Sequence, residues 1–206
     1  FAEFNVRHQA SRESVGGVLD IEDVDLKKGV LDDPEAFFYS RYSVRTFSSD
    51  LVSHETVNRA LRLALKTPSV CNRQAWHVYV LFERSAIDRA LSLQNGNTGF
   101  GHEIPCLFIV AADLEAFDTS SERYQHWIDG GMFAMNIVTA LHSLGLSSCC
   151  LNWSKGPMDD LKLRKLFPIK KSHSVITMMA VGFADKKLKV CYSARRPVEE
   201  IYTELK

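Results

Sequence analysis

Two short stretches of this sequence concentrate groups that could hold a ligand. In Arg41-Tyr42-Ser43-Val44-Arg45-Thr46-Phe47, residues Arg41, Ser43 and Arg45 alternate, so an extended backbone projects all three to one side. Two guanidiniums and a hydroxyl on one side suit a phosphate, through charge-assisted, bidentate donors and one neutral hydrogen bond. A solvated exposed strand is the competing reading. The second stretch is Thr67-Pro68-Ser69-Val70-Cys71-Asn72-Arg73-Gln74-Ala75-Trp76. Asn72 and Gln74, two apart and just before a strand, could present donors and acceptors to one flat heteroaromatic edge; an ordinary polar loop is the alternative. Within this stretch Cys71 reads as a reactive thiol or, as is commoner beside a strand start, as a small buried packing residue. His77, just after it, reads as a core or ligand-face histidine.

These stretches need elements to position them. Val57, Ala60, Leu61 and Ala64 recur at helical spacing, which predicts a helix over 54–66 capped by Ser53 and stopped by Pro68. Trp76, Val78, Val80 and Phe82 then alternate with His77, Tyr79 and Leu81, as a strand over 76–82 requires. A helix over 85–93 follows. The loop Gln94-Asn95-Gly96-Asn97-Thr98-Gly99-Phe100-Gly101 does not match G-x-G-x-x-G and is not read as a nucleotide loop. Residues 106–112 are apolar throughout, as in a central strand covered on both faces.

The longest helical segment, 122–144, carries Ile128, Phe133, Ile137, Ala140, Leu141 and Leu144, with Met132, Met135 and Val138 widening the stripe beyond one face. Such a helix is central to a core or part of a subunit interface, and Gly145 ends it. Strands over 147–151 and 174–184 flank a short helix that starts at Pro157. Asp33-Pro34-Glu35 starts another short helix, with Asp33 as its N-cap. Residues 1–32 have few apolar positions and read as an arm, leaving 33–206 as one domain. The irregular alternation of helices and strands predicts α+β with a few-stranded mixed sheet.

Composition excludes several classes. Lys plus Arg equals Asp plus Glu, 25 each, so no net charge argues for nucleic acid or a membrane surface. No apolar run approaches the roughly 18 residues of a membrane span. The five cysteines and seven histidines form no metal-ligand spacing, and an odd cysteine count suits a reducing, cytoplasmic compartment. The opening Phe1-Ala2-Glu3 reads as the interior of a longer natural chain or as a processed end. No Ser/His/Asp pattern or paired carboxylates support hydrolysis.

Four motifs in order carry a resemblance: Arg41-x-Ser43-x-Arg45-x-Phe47; Pro68-Ser69-x-x-Asn72-x-Gln74-x-Trp76; Asp129-Gly130-Gly131 opening a long apolar helix to Gly145-Leu146; and Arg195-Arg196-Pro197. Over roughly residues 34–200 the sequence resembles the nitroreductase family of FMN flavoproteins. It is most similar to a branch with P-S-x-C-N-R-Q and C-L-N-W-S, the latter being Cys150-Leu151-Asn152-Trp153-Ser154, which is associated with bacterial polysaccharide gene neighbourhoods.

The resemblance implies an interlocked homodimer with FMN at each shared site. Arg41, Ser43 and Arg45, with Arg195, would hold the phosphate, and Tyr42 would contribute backbone. Pro68, Ser69, Asn72 and Gln74 would contact the ribityl chain and the polar edge of the ring, from the partner chain. Cys150, Leu151, Asn152 and Trp153 would pass the flavin face, with a backbone N–H near the reactive nitrogen. NAD(P)H would reduce the flavin, and a small organic acceptor, nitroaromatic, quinone-type or another metabolite, would reoxidise it in ping-pong fashion.

Arg73 is then a candidate stabiliser of the reduced flavin, or an ion-pair residue. His126 and Trp127 would approach the substrate side. Other readings are a flavin-dependent dehydrogenase of sugar metabolism and a flavin-binding partner protein without turnover. Two positions and one segment depart from the family pattern: Ala75 replaces a usual Pro, Ser193 stands where a lysine often assists the phosphate, and the segment near 112–122 is short.

Overall fold

The computed structural model describes Val18 and residues 20–205. It divides the chain into two compact units, Phe1–Phe38 and Tyr39–Lys206. Most of the arm expected over 1–32 lies outside the described residues. What is described contains a short helix that weak periodicity did not signal, α1 (Asp23–Lys27). It buries nothing and is held by local charge: Asp25 accepts from the Glu22 N–H, and Asp23 pairs with Lys27. Helix α2 (Pro34–Tyr39) starts as its sequence requires, with Asp33 Oδ1 accepting from the Ala36 N–H at 2.8 Å.

The second unit is built on four strands, β1 (Trp76–Leu81), β2 (Cys106–Asp113), β3 (Ser147–Asn152) and β4 (His173–Gly182), in the order β1-β2-β4-β3. Every ladder is antiparallel, so the expected mixed sheet is corrected. Its parallel component is one isolated bridge, Ser43 with Ser148. Consecutive strands with local returns favour antiparallel pairing, and the segment around Ser43, which precedes the helix over 54–64, arrives from far enough away to run alongside β3. The α+β class holds.

Residues 106–112 are all buried, which is why β2 reads as an unbroken apolar run. Burial pushes the Cys106 thiol up to about 12, so it acts as a small packing group. One sheet face, with Leu107, Ile109, Leu151 and Met178, packs on α4 (Arg84–Leu91) and α6 (Pro157–Leu166). The other, with Phe108, Val110, Met179 and Val181, packs on α3 (His54–Ala64) and α5 (Gln125–Ser143). Ser53 caps α3 by accepting from the Thr56 N–H at 3.0 Å, and Gly145 closes α5 at φ 76°. Close approach fixes α5 on the sheet, because a Cβ at Gly130 would stand 2.7 Å from Ile176 Cγ1.

Along α5, Phe133, Ala134, Ile137, Val138 and Leu141 are buried, whereas Ile128 (53%), Met132 (39%) and Met135 (50%) are exposed. The helix therefore has a core face and a second apolar row that the described residues leave uncovered.

A polar lock joins the ends of β1, β2 and β4. Tyr79 Oη and His173 Nδ1 share a 2.8 Å hydrogen bond, and the Lys170 N–H donates to Tyr79 Oη at 3.1 Å. Lys170 Nζ bonds both Asp113 (2.8 Å) and Glu115 (2.6 Å). Burial alone would raise the Asp113 carboxyl, but the Lys170 ammonium and the Glu115 N–H outweigh it and hold Asp113 well below the usual carboxylate range. Stability from a depressed carboxyl is fully present above its unfolded value, near 4, and is lost as pH falls through the folded value. Asp113→Asn is thus expected to be less stable than the unmodified protein at pH 7, with the gap closing towards pH 2. Urea denaturation across that range measures both limbs; parallel curves would remove the linkage.

Candidate functional site

The first ligand-type stretch runs beside β3. Ser43 bridges Ser148, the Val44 N–H donates to Ser148 O at 3.1 Å, and Phe47 bridges Ala184 in β4's continuation. Val44 and Phe47 are buried, which anchors the segment and leaves Ser43 and Arg45 exposed and Arg41 half-buried. Tyr42 is exposed. Among the described residues no carboxylate pairs with Arg41, Arg45 or Arg195.

Burial raises the thiols of Cys149 and Cys150; Arg45 opposes this at Cys149 and Arg41 at Cys150, so both guanidiniums act on β3. Arg45 Nη1 also donates to Cys191 Sγ at 3.7 Å, which brings the carboxyl-terminal segment alongside. Arg195 in that segment is exposed and donates to its own neighbours, Ser193 O (2.6 Å) and Ala194 O (3.4 Å). A cavity of about 430 Å³ lies against this stretch, lined in part by Arg41, Tyr42, His142, Ser147 and Ser148. It includes none of residues 68–74 or 150–153.

The second stretch is a strained turn. Cys71, Asn72 and Gln74 all adopt positive φ, near 50°, a region costly for residues other than glycine. Contacts with α3 and α5 hold it. Thr67 is buried, donates to Ala64 O at 2.7 Å and accepts from Asn136 Nδ2 at 2.7 Å. Ser69 Oγ accepts from the Gln74 N–H at 3.0 Å. Asp129, 1% exposed, accepts from the Val70 N–H at 3.3 Å and from Gln125 Nε2 at 2.8 Å.

Cys71 is exposed, not buried, because the turn directs it away from the sheet; His77 is likewise exposed on the edge strand β1. Arg73 donates to Glu122 Oε1 at 2.7 Å and Ala116 O at 3.1 Å, so it takes the ion-pair role and ties the turn to the short 114–122 segment. Phe117 lies under its guanidinium, and His126 and Trp127 continue this aromatic surface.

Cys150, Leu151 and Asn152 form the end of β3, and Trp153 follows. Leu151 and Trp153 are buried, Cys150 and Asn152 exposed. Trp153 Nε1 donates to Asp160 Oδ1 at 2.8 Å, and Thr177 Oγ1 donates to Leu151 O at 3.0 Å. The Trp153 backbone N–H has no hydrogen-bond partner among the described residues.

These groups are not all brought together within one chain. The arginine stretch meets β3 at Ser148, opposite Val181, whereas the strained turn enters β1 at Trp76, opposite Ala112, which faces Ser174. Seven residues of β4 separate these levels, roughly 23 Å, and β1 and β3 are opposite edges of the sheet. By contrast, Ser148 and Asn152 are four residues apart on one edge, roughly 13 Å.

A model of the nitroreductase family matches residues 39–95 and 86–183. The chain belongs to the nitroreductase family. Membership makes it an oxidoreductase. It is 28% identical over 149 residues, 70% of this chain and 82% of the relative, to a protein of Archaeoglobus fulgidus named as an NADH dehydrogenase/NAD(P)H nitroreductase. In fold it is similar to a nitroreductase of Bacillus subtilis (TM-score 0.72, 14% identity, covering 82% of this chain and 97% of that one). It is also similar to an FMN-dependent nitroreductase of Clostridium difficile (TM-score 0.69, 20% identity, 82% and 97%).

In the sequence Asp129 belongs to a helix-opening motif and carries no assigned role. A carboxylate in so apolar a helix was the available signal. Nothing in the sequence marked Asn136, Glu122 or Gln94 as supports. Asp129→Ala would strand the Val70 N–H and the Gln125 amide, and is expected to cost about 1–3 kcal/mol in urea denaturation. Asp129→Asn, which keeps an acceptor, should cost less; equal losses would show that the acceptor is not what matters.

Proposed function

We propose that this member of the family is an FMN-dependent oxidoreductase that takes electrons from NAD(P)H and passes them to a small organic acceptor. The observation that carries this is the layout of one edge of β3. Two guanidiniums without carboxylate partners and the Ser43 hydroxyl stand at one end, and a backbone N–H without a protein partner stands roughly 13 Å away at the other. That donor set fits an elongated ligand with a phosphate at one end and a flat ring carrying an acceptor atom at the other. Relatives named for FMN and for NAD(P)H support the same reading.

FMN, when bound, supplies hydride and electron transfer. The chain's own residues do the rest. Arg41 and Arg45 neutralise the phosphate charge with charge-assisted hydrogen bonds, and Ser43 adds one neutral donor. Arg195 joins them from the segment that Cys191 holds beside Arg45. The Trp153 N–H, a fixed dipole, would serve as a donor to the ring, where a donor favours added negative charge. Asn72 and Gln74, held by their strained turn, offer amides to the polar edge of the ring. Arg73 does not supply free charge there, because Glu122 already compensates it.

The strained turn reaches this edge from a second copy of the chain. Within one copy it lies at the far end of β4, and the row Ile128, Met132 and Met135, with Leu63 and Leu65 nearby in sequence on α3 and its end, is apolar and uncovered. A homodimer that covers these rows brings each turn to the partner's β3 edge. Obligate interfaces of this kind bury upwards of about 2,000 Å².

Purified protein is expected to carry, or take up, one FMN per chain without a covalent bond, read from its visible spectrum and from chromatography after denaturation. Colourless protein that refuses FMN would overturn the proposal. Arg45→Ala should weaken FMN binding about ten- to a hundredfold, the cost of one charged hydrogen-bond partner, while the protein stays folded. Sedimentation should give a dimer, and FMN should raise the melting temperature by binding only the assembled state. A folded monomer with full flavin at low micromolar concentration would remove the shared site.

A further inference from the structure

The three-glycine loop over 94–101 matched no nucleotide motif, and its role lies elsewhere. Gln94 is 6% exposed, and both the nitrogen and the oxygen of its side-chain amide are hydrogen-bonded. Nε2 donates to Asn152 O at 2.9 Å, while Oε1 accepts from the Gly96 N–H at 2.6 Å and from Asn97 Nδ2 at 3.1 Å. Asn97 Nδ2 also donates to Gln94 O (2.6 Å) and Leu91 O (3.0 Å), tying the loop to the end of α4.

Two glycines make room for these amides. A Cβ at Gly96 would stand 3.0 Å from Gln94 Nε2, and one at Gly101 would stand 2.7 Å from Asn97 Oδ1. A second tether runs between the same two segments, Lys155 Nζ to Asn95 Oδ1 at 2.8 Å. The loop is a bracket whose grip falls on the segment after β3.

The consequence follows from peptide geometry. Asn152 C=O and Trp153 N–H belong to one planar trans peptide, so they point in opposite directions. With the carbonyl fixed on buried Gln94, the Trp153 N–H is turned the other way, and no hydrogen bond among the described residues uses it. We propose that Gln94 is a positioning residue that sets the orientation of the Asn152–Trp153 peptide, and thereby the aim of a backbone donor that this strand end offers the flavin. This rests on the FMN reading given above. Gln94 touches neither flavin nor substrate; it acts through the peptide.

Gln94→Glu is close to isosteric but replaces the donor with a carboxylate set against a carbonyl oxygen. Gly96→Ala is the milder variant should the first not fold, since it presses on the same amide. Two readouts separate the possibilities. In protein without flavin, hydrogen exchange of the 150–155 segment is expected to speed up, the Lys155 amide included, which normally donates to Trp153 O at 2.9 Å. In flavin-loaded protein, the rate of flavin reduction by NADH or NADPH per bound FMN should fall at least about tenfold, the scale of cost for a misplaced donor, with FMN affinity within about threefold of the unmodified protein. Unchanged exchange and an unchanged rate per bound flavin would overturn the positioning role alone, as would a loss of melting temperature and flavin content at a constant rate per flavin. Unmodified protein that takes up no FMN would overturn the proposed function and this inference with it.

Discussion

A turn with three non-glycine residues at positive φ does not close by itself. Each such residue costs of order 1 kcal/mol or more, less for asparagine, so something outside the turn must hold it. In this protein the support is the buried carboxylate of Asp129, together with Asn136 on the same helix and Ser69 within the turn. Asp129 can do this only because α5 is seated closely on the sheet, which in turn needs Gly130 against Ile176. Strand packing, helix seating, buried acceptor and strained turn form one dependent series. Weakening an early member is felt at the last.

The same logic applies at the other ligand-type region. Arg41, Ser43 and Arg45 lie on a segment with almost no regular structure of its own, registered on β3 by one bridge and by the burial of Val44 and Phe47. The end of β3 is held by a separate loop through Gln94. Groups that must present donors to solvent or ligand are therefore carried on irregular backbone, and each is fixed by a side chain buried behind it. Buried amides and carboxylates suit this work because their alternative, an unpaired polar group in the core, is costly.

Charge is handled differently at the two sheet ends. Near the strained turn the charges are compensated: Arg73 faces Glu122, and Lys170 faces Asp113 and Glu115. Beside the start of β3 two arginines face no carboxylate among the described residues. The compensated clusters tie neighbouring segments of the chain together. That contrast gives Arg73 an ion-pair partner and leaves the proposed phosphate role to Arg41 and Arg45, although all three are arginines next to polar loops.

The elements were legible in the sequence. Period-two alternation marked β1, an unbroken apolar run marked β2, helical spacing with a serine cap marked α3, and glycine closed α5, since these signals depend on neighbours in the chain. The four motifs gave the family for the same reason. Tertiary structure alone decided three things. It paired the strands entirely antiparallel, because register depends on segments far apart in sequence. It exposed Cys71 and gave Arg73 a carboxylate, because a turn's side-chain directions follow its φ values and not its composition. It also set the arginine stretch and the strained turn at opposite ends of β4, a separation that no local pattern encodes, since it depends on how the strands are ordered across the sheet.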